Sequence, residues 1–277
     1  TTVELSGKDV VVSDGNGVDL GASTVTGSLT VTAGDAITDS GTLAVTGGGS
    51  FTTKKDSGAA ITLDQGLSTF GVLTARSRNG ADTANAAGDI RIDENASLTV
   101  GALQTTGGAT LNTLNGADGA VGLGTVTAGS LTVNGKGAIT QSGDMAVAGL
   151  GAFKTLNDAG AAITLERAGN QFGSISAGVR NGADSAKAVA DVTLREGTGV
   201  GDANPGTVLA GVETGGNLTV VTSGGNITQT GVLTVNGANK KATINAAGFD
   251  VTLGNVGNDF TTVELSGKDV VVSDGNG

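Results

Sequence analysis

The residues of this chain with chemical potential are few and scattered. Asp89, Arg91 and Asp93 alternate along one short segment, and Asp191 with Arg195 echoes them about a hundred residues later. Carboxylates that converge in a cleft can act as acid and base on a glycosidic bond. A single such cluster, in a chain without Trp or Tyr to seat a sugar ring, gives little support for turnover. Residues 13–21, SDGNGVDLG, set Asp14 and Asp19 among glycines, as calcium loops do. They lack the tandem nonapeptide period of calcium-binding β-rolls and the alternating acids and final Glu of an EF-hand, so the segment reads as an Asp-Gly-Asn-Gly turn. Residues 122–129, GLGTVTAG, lack the Lys of a phosphate loop and the helix that should follow it. With neither Cys nor His, the chain has no thiol nucleophile, no Cys/His zinc site and no His acid–base catalyst. The expectation is a protein that is not an enzyme, with no catalytic, cofactor-binding or metal residue and no cofactor.

The elements that would position such residues follow from composition and pattern. The chain holds 277 residues, of which 50 are Gly and one is Pro, with six Phe, no Trp and no Tyr. Disorder fails on pattern, because Val, Ile, Leu and Ala recur in short alternating bursts, whereas disordered chains are richer in Pro and charge. Collagen fails for want of a Gly-X-Y period. In Leu29-Thr30-Val31-Thr32, Leu131-Thr132-Val133 and Leu233-Thr234-Val235 the period of two places Leu and Val on one face of a strand and Thr on the other. These bursts end in Gly or in Asn-Gly pairs, at 16–17, 79–80, 115–116, 134–135, 181–182, 236–237 and 276–277, which suit sharp corners. No run approaches the length of a membrane helix. A net charge of -11 opposes nucleic-acid binding.

Repeats dominate the chain. Residues 1–17, TTVELSGKDVVVSDGNG, return identically at 261–277, a period of 260. The chain therefore reads as a window cut from a longer tandem array, with 261–277 opening the next copy. The start, Thr1-Thr2-Val3-Glu4, has neither the basic nor the apolar region of a signal peptide. Within the window GAAITL and RNGAD each recur after 102 residues, and NITQTG and VTLGNVGNDF form a third, shorter version. This gives sub-repeats 1–70, 71–172 and 173–260 in one continuous body, 1–277. An apolar ladder, Val12, Val31, Phe51, Phe70 and Ile90, advances in steps of 19, 20, 19 and 20, and extends less cleanly through Leu111, Leu131 and Phe153. A period near 20 without the leucine-rich consensus is that of a β-solenoid coil. The fold expected is an all-β parallel β-helix of about 19–20 residues per coil, with no caps in this window and roughly 14 coils. Phe51 and Phe70 then lie on touching turns, as do Phe153 and Phe172. The segments 76–88 and 178–190 interrupt the ladder and read as projecting loops bearing Arg76, Arg78, Arg180, Asp82 and Asp184. Thr-x-Thr at 24–26, 30–32 and 125–127 is too sporadic for the regular array that matches ice.

The style of these repeats, LTVTAGDAITDSGTLAVTGGGSF followed by AITLDQGLSTF and VELSGKDVVVSD, resembles the repeat region of filamentous-haemagglutinin-like giant bacterial exoproteins, adhesins of the two-partner secretion type. The resemblance covers nearly the whole chain apart from the two RNGAD segments. It implies a right-handed β-helix, export through an outer-membrane barrel and a long fibre at the cell surface or released from it. The function expected is a structural shaft segment of an extracellular bacterial filament, giving reach and mechanical stability in cell adhesion and biofilm. The partners expected are neighbouring copies of the module, joined covalently or stacked end to end. Lateral self-association or a cell surface comes next, with no nucleic acid and no membrane insertion. The alternative is a shaft that itself adheres, through loops 76–88 and 178–190 or through Thr-rich faces. A polysaccharide-active or ice-binding β-helix stands behind both.

Overall fold

A computed structural model describes residues 2–116, 119–197 and 206–275. Among them there is no helix. Short parallel strands stack into a β-solenoid of about 11 turns. The alternation seen in the sequence does the sorting. In Leu29–Ala33 the residues Leu29, Val31 and Ala33 are buried while Thr30 and Thr32 face outward. Each strand is too short to hold a core alone, and its backbone groups are satisfied by the turns on either side.

The chain forms two compact units, Thr1–Asn134 and Gly135–Gly277. The first contains three columns of strands. One column runs through Val10–Asp14, Leu29–Ala33, the second half of Leu43–Lys54, Thr69–Arg78 and Leu98–Gln104. A second runs through Val18–Leu20, Ile37–Asp39, Ile61–Leu63, Ile90–Asp93 and Gly108–Thr113. The third takes Ser6–Gly7, Ser23–Val25, the first half of Leu43–Lys54 and the start of Thr69–Arg78. Glycine is required where turns touch at corners. A Cβ at Gly34 would overlap the Gly15 carbonyl, and one at Gly88 the Ala59 carbonyl.

The apolar ladder needs correction beyond Phe51. Val12, Val31 and Phe51 are in register, as expected, but the next place in that column belongs to Ala75. Phe70 lies over Val45 in the neighbouring column, and Ile90 lies over Ile61 in the remaining one. The two Phe side chains still meet from consecutive turns, ring centroids 5.7 Å apart at 81°. Phe153 and Phe172 repeat the contact at 5.9 Å and 85°. The coil count falls from the expected 14 to about 11 because corner insertions lengthen several turns. Register partners are 19 residues apart from Val18 to Ile37, 24 from Ile37 to Ile61 and 29 from Ile61 to Ile90.

The second unit has the same construction. One column contains Ile139–Gln141, Ile163–Leu165, Val192–Glu196, Leu218–Thr222, Ala242–Asn245 and Val263–Ser266. Another contains Asn226–Gln229, Val251–Leu253 and Val270–Val272. Ile163–Leu165 and Val251–Leu253 are the same motif in successive repeats, yet they occupy different columns. The 88 residues between them hold three turns and a fraction, so each repeat of this unit shows a given motif on a different side.

Candidate functional site

The acidic side chains singled out in the sequence are absorbed by the turn-to-turn architecture. Asp89 Oδ1 accepts the Gly108 N–H at 2.8 Å, and Asp191 Oδ1 accepts the Asn217 N–H at 2.8 Å. Both brace a corner to the next turn. Asp9 does the same for Ser28, taking its N–H and its hydroxyl at 2.9 Å each, and these bonds hold its carboxyl below the usual range. Asn217, Asn226 and Asp250 continue the device to Lys241, Asp250 and Asp269. Arg91 pairs with Asp93 at 2.6 Å on the outer surface, and Arg195 is exposed. Asp93 also accepts the Asn112 amide, which in turn accepts that of Asn134. The acids are thus engaged as braces. In the segment at 13–21, Asp14 Oδ1 accepts the Asn16 N–H, making the expected turn, and Asp19 takes hydroxyls of Thr2, Thr38 and Ser40.

A second set of polar groups lies inside, where the corner of one turn leaves backbone N–H groups of its neighbour unpaired. Asn170 is fully buried. Its Oδ1 accepts the Met145 N–H and the Gln141 amide, while its Nδ2 donates to Gln141 Oε1 and the Arg195 carbonyl. Asn258 repeats this with Leu233 and Gln229. In the first repeat Ser68 and Asp39 stand at these places. Ser68 Oγ accepts the Leu43 N–H, and Asp39 accepts the N–H groups of Asp64 and Gln65. Burial pushes the Asp39 carboxyl up to about 6, against the lowering effect of those bonds. Glu94 and Glu196 are buried as well, and their Oε1 atoms accept the N–H groups of Phe70 and Phe172 at 3.0 and 2.6 Å. Sequence reading passed over Glu94, Glu196, Asn170 and Asn258. The available signal was positional: the two Glu are 102 residues apart, and each Asn precedes a repeat Phe by two.

The loops are shorter than the expected 76–88 and 178–190: the strands Thr69–Arg78 and Gln171–Arg180 run on through Arg76, Arg78 and Arg180, and the two loops that follow share an internal frame. Asn79 and Asn181 fold their Oδ1 atoms onto the N–H groups of Thr83 and Ser185 at 2.8 and 2.9 Å. Asp82 and Asp184 take left-handed φ values of 57° and 54°. Asp82 is gripped by Arg78 and Lys54, and Asp184 by Lys154 and Arg180, which hold both carboxyls below their ordinary range. Asp56 and Asp158 pin Gly80 and Gly182 at 2.9 Å. Arg76 remains exposed.

Thr is more ordered than the sporadic Thr-x-Thr pattern implies. In the second unit Thr140, Thr164, Thr193, Thr219 and Thr243 are in register on five consecutive turns, followed by Glu264. It is a single row rather than a two-row Thr-x-Thr array. Its regularity is invisible in sequence because the turns between its members differ in length.

Together these features define a tandem-repeat parallel β-solenoid whose polar residues join turn to turn. The sequence matches the family described as Repeats of unknown function (DUF5649) three times, at residues 7–77, 107–177 and 189–266, and the chain belongs to that family. Neither the curated proteins nor the solved structures contain a match. Among the described residues no helix is long and apolar enough to cross a membrane.

Proposed function

We propose that this chain is a shaft segment of a long extracellular bacterial surface filament, of the filamentous-haemagglutinin-like adhesin kind, and that it works by mechanical reach rather than by catalysis. The observation that carries the reading is the continuity of turn-to-turn pairing within each unit, reinforced at the corners by Asp and Asn braces and inside by Asn170 and Asn258. A load along such a stack is shared by many parallel backbone bonds. In solenoids stability is a sum of nearest-neighbour terms, so a repeat can be added without redesign. The three family matches and the return of residues 1–17 at 261–277 support a homogenised tandem array.

The test is electron microscopy of purified chains carrying one, two and three copies of the 260-residue module. A shaft gives rods of constant width whose contour length rises linearly with copy number. Compact particles, or rods that do not lengthen, would overturn the reading.

The second reading, an adhesive shaft, is favoured by one observation, the shared bracing of the two loops. Replacing residues 79–87 and 181–189 by short Gly-Ser links should leave filaments intact. A loss of cell-surface attachment at unchanged filament length would move the function to the loops.

A further inference from the structure

We propose that Glu94 is a pH-sensitive latch between consecutive turns: as a neutral carboxylic acid it closes the core over Phe70, and as a carboxylate it loosens that closure. The geometry comes first. Phe70 pairs with Val45 of one adjoining turn, but pairing with the other begins only at Leu73, which lies over Val100. The Phe70 N–H therefore lies where no strand bond is made to that side. Glu94 Oε1 accepts it at 3.0 Å. Glu94 is 1% exposed, and its Oε2 has no hydrogen-bond partner among the described residues. The latch sits beside the edge-to-face contact of Phe70 with Phe51, whose ring centroids are 5.7 Å apart. Glu196 holds the Phe172 N–H in the same way at 2.6 Å, beside the contact of Phe172 with Phe153.

Among the described residues no cation is paired with Glu94, and the other buried carboxyl of this repeat, Asp39, is an acid as well. Of the charged groups on the elements around Glu94, Arg91 pairs with Asp93 and lies 3.9 Å from Asp64. Lys54 and Arg78 are committed to Asp82, and Arg76 is exposed. The strands Leu98–Gln104 and Gly108–Thr113 carry no charge. Burying an ion with one hydrogen bond is far costlier than burying the neutral acid. Accordingly desolvation pushes the Glu94 carboxyl up to about 7, with the Phe70 N–H the opposing influence. A folded value above the unfolded one means that the contribution is fully present below about 4.5 and is lost as pH rises through about 7. Between those limits one extra bound proton changes the folding constant by up to about tenfold per pH unit. The latch therefore tightens the solenoid in mildly acidic surroundings and slackens it in neutral and alkaline ones. It is a property of the fold and stands whether or not the chain is a shaft.

The test compares the full chain with its Glu94→Gln variant in guanidinium melts at pH 5, 6, 7 and 8, together with amide hydrogen exchange at Phe70. Gln keeps an oxygen for the Phe70 N–H and cannot ionise. The variant's stability relative to the parent should rise steadily with pH, by at least tenfold in folding constant from pH 5 to pH 8. The Phe70 protection factor should fall above pH 7 in the parent and stay level in the variant. A stability difference that does not change with pH would overturn the proposal. If the variant fails to fold, carbon NMR titration of the assigned Glu94 carboxyl in the parent decides instead, apart from the other buried acids Asp39 and Glu196: a Glu94 carboxyl still protonated at pH 6 and ionised by pH 8 supports the latch, and its full ionisation by pH 5.5 overturns it.

Discussion

In the first repeat the Leu43 N–H is met by the Ser68 hydroxyl, and in the second the Met145 N–H is met by the Asn170 amide. Beside Ser68 stands the carboxyl of Asp39, and beside Asn170 the amide of Gln141. Both arrangements fill the same gap, where the chain turns a corner and a neighbouring strand is left short of bonds. The amide pair is reciprocal, each side chain donating and accepting, and it adds bonds to the carbonyls of Gly143 and Arg195. The Asp39 carboxyl only accepts. Two repeats that share a backbone course thus differ in how firmly a corner is pinned and in whether the pinning depends on pH. The third repeat follows the second, with Gln229 and Asn258.

The largest effects should be those in which the two repeats agree. Phe51→Ala and Phe153→Ala should each cost about 3–5 kcal/mol in denaturant melts, since both rings are buried and each meets a second ring edge-on. Costs that differ by more than about 1.5 kcal/mol would show that the repeats are not energetic equivalents. Next come the positions where they diverge. Asn170→Ala leaves the Met145 N–H, the Arg195 carbonyl and Gln141 short of partners, for a cost of about 3 kcal/mol. Ser68→Ala leaves the Leu43 N–H short of its partner, for about 1 kcal/mol. Equal losses would remove the distinction between the two corners.

Asp39 separates the repeats by pH. Its carboxyl is pushed up to about 6 by burial, so the stabilising neutral form is fully present below about 3.8 and lost as pH rises through about 6. In Asp39→Asn this dependence should vanish. Measured against the parent, the variant should gain about 1–3 kcal/mol between pH 4 and pH 8. Gln141→Asn, the matching change in the second repeat, should show a cost that does not vary with pH. A parallel shift of both variants would place the titration elsewhere.

Much of this was legible in the sequence, for identifiable reasons. Alternation at Leu29–Ala33 and the 19-residue spacing of the Phe pairs report burial directly, and both describe real contacts. The column assignments of Phe70 and Ile90 were not legible, because a constant step of 19 or 20 hides turns that lengthen to 24 and 29 residues. Glu94 and Asn170 are of types that usually lie at the surface, so nothing local marks them. What buries them is the missing strand bond at a corner, and that depends on the neighbouring turn rather than on local sequence. Asp89 and Asp191 were noticed for their chemistry, but each is held by a backbone N–H on the next turn.

The smallest predicted difference lies in the two loops. Arg78 and Arg180 both hold the Asp that follows four residues later, at 2.9 and 3.0 Å. Arg78 directs its remaining nitrogen to the Asn85 amide, whereas Arg180 reaches Glu213 at 2.5 Å, a carboxylate on another strand. Arg180 therefore ties its loop to the body by charge, and its guanidinium is held more firmly protonated by Asp184 and Glu213. The Glu213 side chain is 39% exposed, so solvent screens the pair. Arg180→Gln should cost about 0.5 kcal/mol more than Arg78→Gln at low salt, and the excess should fade near 1 M NaCl, where the Debye length is about 3 Å. An excess that survives high salt would mean that Arg180 acts through packing of its stem, and the contrast between the loops would then be one of shape rather than charge.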